Sequence, residues 1–382
     1  MTDTPMLLTP LTLRTATLPN RMVVAPMCQY SAVNGFAGDW HLVHLGKFAL
    51  GGFGVVMTEA AAVEERGRIT HGDLGIWSDD HVAGLRRVTD FIHREGALAA
   101  IQIAHAGRKA STQRPWQGHG PLGEADRDRG EPAWPIVSAT DEPFDARSIV
   151  PAALTKAEIA ALVGCFADAA ARADAAGFDI LEIHSAHGYL LAGFLSPVAN
   201  TRTDEYGGSR DARMRFPLDA VSAVRSRWPA AKPLFVRISS VDGASGGWDL
   251  DDSVAFADEL RQRGVDVVDC SSGGIRESGT LANTRLGLGY QVGYAREIRA
   301  RCGIATMAVG LILDASQAEA ILRDSAADLI AIGREALYDP FWAHHAAREL
   351  APAPQFSRWA DQSGWWLERR AGTLSRLGIP HR

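Results

Sequence analysis

Two histidines three residues apart, His184 and His187, close a short apolar run and are followed at once by Gly188 and Tyr189. An imidazole can donate a hydrogen bond, move a proton or ligate a metal near neutral pH, and a phenol can supply a proton. The cluster therefore reads as a place where a small substrate is polarised and protonated, as a metal site, or as a pair of structural histidines. A metal would need further ligands, and Glu59, at the end of another apolar run, is the candidate. A second group of residues suits phosphate. Gly310 and the pair Gly333-Arg334 close two later apolar runs; glycine lets backbone N–H groups approach anionic oxygens, and arginine binds them bidentately. Arg237 lies within an apolar run, so its burial demands an anionic partner, either an acidic side chain or an anionic cofactor ring.

These residues are placed by eight short β-branched runs, at 22–25, 53–59, 98–104, 178–184, 234–239, 265–270, 304–309 and 329–333. Each is apolar on both faces, as parallel strands covered on both sides must be. Helical patterns lie between most of them. Thr155-Lys156-Ala157-Glu158 has the spacing of a capping box, and the segment it opens stops at Gly177. Other helices stop at Gly96, Gly264 and Gly303, where glycine supplies a left-handed residue. Asp79, Asp251 and Asp314 are expected as N-caps. Strand–helix alternation repeated eight times predicts an α/β chain folded as a (β/α)8 TIM barrel. A doubly wound sheet, the rival, needs a glycine-rich first turn that the early strands lack. In such a barrel the active site lies at the C-terminal strand ends. That gathers residues 25–30, Glu59-Ala60, Gln102, His105, residues 182–189, Arg237, Gly310 and Gly333-Arg334.

The 382 residues show no linker of shifted composition, so one barrel domain over 1–382 is expected. Residues 1–20 read as a hairpin closing the bottom. Residues 105–154 are too long for a plain connection and read as a rim or lid. Residues 351–382 form a tail carrying Trp359, Trp365 and Trp366. With 46% hydrophobic and 22% charged residues the chain is neither disordered nor fibrous. No apolar run approaches the ~20 residues of a membrane span, and the N-terminus lacks the pattern of a secretory signal. A net charge of -6 offers no attraction to nucleic acid or an anionic membrane. Cys28, Cys165, Cys270 and Cys302 are scattered without a C-x-x-C. This argues against a disulfide framework, a zinc site or an iron–sulfur cluster, and for a reduced, cytoplasmic setting.

Longer strings carry a family likeness. Pro26-Met27-Cys28-Gln29-Tyr30, Ile101-Gln102-Ile103-Ala104-His105-Ala106-Gly107-Arg108-Lys109 and Glu182-x-His184-x-Ala186-His187-Gly188-Tyr189-Leu190 closely resemble the Old Yellow Enzyme family. So do Phe194-Leu195-Ser196-Pro197 and Asn200-x-Arg202-Thr203-Asp204-Glu205-Tyr206-Gly207-Gly208-Ser209. The resemblance runs in order from about residue 8 to about residue 350. Cys28 is similar to the cysteine of the thermophilic-like branch, which includes xenobiotic reductases.

The resemblance implies noncovalent FMN, reduced by NADPH or NADH, and reduction of an activated C=C bond in enones, enals, maleimides or nitroalkenes. By matching position, Ala25, Pro26, Met27 and Cys28 would line one side of the flavin. Ala60, Gln102, His184 and Arg237 would face its pyrimidine portion, and Gly310, Gly333 and Arg334 its phosphate. Tyr30, His184, His187 and Tyr189 would surround the substrate, the histidines donating to its carbonyl and Tyr189 giving the proton. Arg237 would stabilise negative charge on the flavin, and Cys28 would tune its potential or serve only as packing. The alternatives are a metal-dependent barrel hydrolase and a flavin-binding protein without ene-reductase turnover. The loop at 113–133 is similar to the xenobiotic-reductase type and would put Trp116 near the rim. The substrate-facing tryptophan of that type is missing from residues 271–289. Gln355-Phe356-Ser357-Arg358 is similar to a segment that carries arginine into a neighbouring subunit's site, whereas Trp366-Leu367-Glu368-Arg369 is similar to the xenobiotic-reductase tail. A homodimer or homotetramer acting on a small-molecule alkene is the implied assembly, with no nucleic-acid or membrane partner.

Overall fold

The eight apolar runs form the strands of one closed barrel in the computed structural model, which describes residues 4–276, 287–351 and 356–380. Residues 1–3 of the expected bottom segment lie outside the described residues. So do residues 352–355 and 381–382 of the tail, Gln355 among them, and residues 277–286 of the stretch without a tryptophan.

The strands are β1 (Met22–Val24), β2 (Val55–Ala62), β3 (Leu98–Ala104), β4 (Ile180–Ser185), β5 (Leu234–Ser239), β6 (Val267–Ser271), β7 (Ala305–Val309) and β8 (Leu329–Ile332). All neighbours pair in parallel, and β8 returns to β1. Every residue of β2, β4, β5 and β6 is buried, the physical counterpart of runs apolar on both faces.

Helix ends follow local chemistry. Thr155 Oγ1 accepts the Glu158 N–H at 3.2 Å while the Glu158 carboxylate accepts the Thr155 N–H at 2.9 Å. Gly96, Gly177, Gly264 and Gly303 all take positive φ before a strand, between 64° and 88°. Asp314 caps as expected, accepting the Gln317 N–H at 2.7 Å. Two expected caps are displaced. Asp249, with an extended backbone, caps the helix Leu250–Gln262, and Asp251 already lies in its first turn, paired with Arg301. Asp80 precedes the helix His81–Arg94 without a side-chain cap bond, and Asp79 pairs with Arg172 instead. An acid within a few residues of a helix start is favoured by the dipole whether or not it caps, so several nearby acids blur the boundary.

Strands Leu11–Leu13 and Ala16–Leu18 form an antiparallel hairpin at the N-terminal end of the barrel. Leu18 is buried with Val23, Val55, Ile180 and Phe235. Arg14, at the hairpin turn, pairs with Asp266 at 2.8 Å and donates to the carbonyls of Ala230 and Gly264. At the opposite end, the chain between β3 and the helix Lys156–Ala175 contains the helix Glu124–Asp128 and a parallel pair, Val137–Ser138 with Ala152–Ala153. Near the C-terminus Trp359 stacks on Phe341 and His344, and the helix Asp361–Arg376 follows. No helix among the described residues is long and apolar enough to cross a membrane.

Candidate active site

The chain leaves β4 through two successive left-handed residues, His187 (φ 59°) and Gly188 (φ 71°). A Cβ on Gly188 would lie 2.2 Å from the carbonyl oxygen of Gly274, so the turn after β4 rests backbone to backbone on the segment after β6. Lys109 Nζ ties the two together, donating to the carbonyls of His187 at 2.9 Å and Gly274 at 3.3 Å.

This turn brings three rings together. The His184 and His187 centroids are 5.1 Å apart and those of His184 and Tyr189 5.0 Å, both pairs nearly perpendicular. The Nδ1 of His184 accepts the Ala186 N–H at 3.2 Å. The His187 N–H donates to Ser239 Oγ at 2.8 Å, and its Nε2 lies 2.7 Å from Ser271 Oγ. Burial, reinforced by the Arg237 and Lys109 charges, holds both imidazoles well below their ordinary range, so both are neutral at pH 7. Burial pushes the Tyr189 phenol far above its ordinary value, with Cys28 and Asp73 adding to it, and Tyr30 is raised in the same way. The Cys28 thiol is raised by burial and by the nearby Glu59 and Asp73 carboxylates, so it stays protonated. The site thus offers neutral donors with their protons in place.

Below the rings, strand register sets a polar layer in the barrel interior. Ala60 is level with Gln102, Gln102 with Glu182, and Arg237 with both His184 and Asp269. Gln102 Nε2 donates to Glu182 Oε1 at 2.8 Å. Arg237 Nε lies 3.1 Å from Asp269 Oδ2 without the alignment of a hydrogen bond. The anionic partner that Arg237 required is therefore present as an acidic side chain. Two buried carboxyls crowd this guanidinium: Glu182 is pushed up to about 8 by burial and then by Asp269, which is itself raised by burial.

The residues fit FMN. Ala25 and Ala60 present small side chains, and an Arg237 N–H is left without an aligned acceptor. Gly310 and Gly333-Arg334 follow β7 and β8, which pair directly, Val309 opposite Ala331. A Cβ on Gly333 would lie 3.8 Å from both Ala25 and Met27, so the end of β8 adjoins the Ala25-Pro26-Met27-Cys28 segment. Above this floor a cavity of about 720 Å³ is lined by Tyr30, Lys109, His187, Tyr189, Ser271 and Gln291, among others. Trp116 is exposed at its rim, its ring edge-on to Tyr30 at 5.8 Å.

Some candidates do not join the cluster. Glu59 accepts the Gln29 N–H at 2.9 Å and lies 3.2 Å from His41 Nε2, bracing the backbone beside Cys28. His105 turns to Glu64 at 2.8 Å. Among the described residues no three His, Cys, Asp or Glu side chains gather as metal ligands. Other residues were given no role from the sequence, although Glu182 was gathered among residues 182–189. Glu182 and Asp269 carried a signal, being acids within apolar runs. Ser271 and Gln291 carried none, because their importance lies in which distant residues they touch.

Fold and site together define a flavin-binding barrel oxidoreductase. The profile of the NADH:flavin oxidoreductase / NADH oxidase family matches residues 6–352, and the chain belongs to that family, the Old Yellow Enzyme family of its motifs. FMN and NAD(P)H are its cofactors. The chain is 42% identical to an NADPH dehydrogenase of Bacillus subtilis (strain 168) over 365 residues, 94% of this chain and 99% of that protein. It is 45% identical to the NADPH dehydrogenase of Listeria innocua serovar 6a over 354 residues, 91% of this chain and 96% of that one. Among solved structures, morphinone reductase superposes with a TM-score of 0.75 at 26% identity, covering 94% of this chain and 96% of the other. This membership sets aside the metal-dependent hydrolase.

Proposed function

We propose that the protein reduces activated C=C bonds of small molecules (enones, enals, maleimides and nitroalkenes) with NADPH or NADH as reductant. The observation that carries this reading is the packing of His184 against His187 and Tyr189, which line the cavity, with burial keeping both imidazoles neutral and the phenol protonated. FMN, when bound, supplies the hydride. Ala25, Pro26, Met27, Cys28, Ala60, Gln102, His184 and Arg237 hold its ring, and Gly310, Gly333 and Arg334 its phosphate. The Arg237 guanidinium offsets negative charge at the pyrimidine edge. Cys28, kept as a thiol, acts by packing and polarity rather than as a nucleophile.

His184 and His187 donate to the substrate carbonyl and stabilise the enolate oxygen; losing one such donor costs ~2.7–4 kcal/mol in the transition state. Tyr189 gives its proton to the carbon beside that carbonyl. Tyr30 lines the other side of the cavity. The chain also assembles with copies of itself, a reading supported by the exposed Trp40 and Val43 on one helix face.

The test is anaerobic stopped-flow mixing of NADPH-reduced holoprotein with 2-cyclohexenone. Rapid reoxidation is expected, slowed ~10²–10⁴-fold in Tyr189→Phe, with NADPH-driven reduction nearly intact. A nitroalkene, whose nitronate survives until solvent protonates it, should be slowed less. Wild-type protein that NADPH bleaches but no enone reoxidises would leave a flavin protein without ene-reductase turnover.

A further inference from the structure

The contact between His187 Nε2 and Ser271 Oγ, at 2.7 Å, sits in a chain of donors and acceptors that decides which imidazole nitrogen carries the proton. Gln291 sets its sense. Its Nε2 donates to the Val309 carbonyl at 3.0 Å, so Oε1 is the atom turned toward the two serines. Ser272 Oγ donates to that oxygen at 2.7 Å, and Ser271 Oγ can donate to it only over a longer 3.4 Å. Ser271 has a single proton to give. Gln291 Oε1 has lone pairs for both serines, but His187 Nε2 at 2.7 Å lies far closer to the Ser271 hydroxyl than that oxygen at 3.4 Å. The shorter contact favours His187 Nε2 as the acceptor of that proton.

A neutral imidazole whose Nε2 accepts carries its own proton on Nδ1. Among the described residues no protein group takes that Nδ1, and the side chain lines the cavity. His184 is the reverse case: its Nδ1 accepts a backbone N–H, which leaves the proton on Nε2. Ser239 completes the frame, accepting the His187 N–H and donating to the Gly273 carbonyl at 2.7 Å. One serine from β5 thus holds the His187 backbone, and one from β6 holds its ring.

We propose that Ser271 is a positioning residue that, by donating to Nε2, locks His187 in the Nδ1–H tautomer, so that the neutral ring offers the substrate oxygen a donor. In the other tautomer Nδ1 would point a lone pair at that oxygen, turning an attraction into a repulsion. What the donor is for rests on the proposed alkene reduction; the tautomer itself does not.

Long-range 1H–15N spectra of the FMN holoprotein, labelled with 15N-histidine, read the tautomer directly, with His187 assigned by its loss in His187→Asn. The expected result is a protonated Nδ1 and bare Nε2 for His187, and the reverse for His184. A protonated Nε2 on His187 overturns the proposal. In Ser271→Ala the tautomer should become mixed. Binding of p-hydroxybenzaldehyde, followed by flavin absorbance, should weaken about tenfold, the order of one hydrogen bond. Ser271→Thr, which keeps the hydroxyl, should restore tautomer and affinity. Unchanged tautomer and affinity in the alanine variant would sink the idea. An Nδ1–H wild type that reduces no enone would refute the proposed function and leave this inference standing.

Discussion

Arg237, Glu182 and Asp269 show how a single residue can be legible while its partners are not. An arginine inside an apolar run has to meet a negative charge, and that much follows from desolvation. Which acid it meets depends on β5 and β6 lying in a register that sets Arg237 level with Asp269. The crowding has a thermodynamic consequence. Glu182 keeps its proton in the folded chain up to about pH 8, whereas in the unfolded chain it ionises near its ordinary 4.5. Its contribution to stability is therefore fully present below about pH 4.5 and is lost as pH rises through 8. Glu182→Gln keeps the shape, lets Gln102 go on donating, and removes the proton that titrates. The variant should gain on the wild type as pH rises from 5 to 8.5. Thermal midpoints of both holoproteins across that range check it, and a difference independent of pH would show that Glu182 is not the titrating group.

At the scale of elements, short-range rules were readable and contacts between turns were not. The capping box at Thr155 and the glycine stops at Gly177 and Gly303 are encoded within four residues, and they appear as expected. Asp79 and Asp251 misled because acids cluster around those helix starts. Gly188 stands in a recognisable string, but its reason is the close approach to Gly274, a turn on another strand. Gly188→Ala would pay twice, for a side chain at φ 71° and for a Cβ 2.2 Å from a carbonyl oxygen. A residue held in such a conformation costs about 1–3 kcal/mol, and the clash adds to it. The turn must lift off, carrying His187 and Tyr189 with it. The holoprotein should melt several degrees lower and lose p-hydroxybenzaldehyde affinity while retaining FMN, as thermal unfolding and ligand titration would show. Wild-type ligand affinity would mean that the turn's height above Gly274 does not position the rings.

At the scale of the whole molecule, eightfold alternation made the barrel readable, because each strand–helix unit repeats the same pattern. The outward-facing surfaces of that repeat, and the tail beyond it, carried no such pattern. On the helix Asp39–Leu50, Trp40 and Val43 are three residues apart on one face and are 55% and 69% exposed. Val33 and Phe36 are exposed just before it. At the other end of the chain, the helix Asp361–Arg376 has Gly364 as its buried residue and leaves Trp365 and Trp366 exposed. An isolated helix of this length is marginal in water without a packed face. Both features are explained if copies of the chain cover them, and Trp359, stacked on Phe341 and His344, anchors the tail from which that helix departs. Light scattering should give a mass that is a multiple of 41.0 kDa. Trp40→Glu with Val43→Glu, which buries charge in any such contact, should bring it down to 41.0 kDa. The same variant tests the tail: if Arg358 enters a neighbour's cavity, the dissociated form should bind p-hydroxybenzaldehyde more weakly than the assembly. Equal affinity would place the whole site within one chain, and a wild type that is already monomeric would remove both the assembly and the crossing arginine.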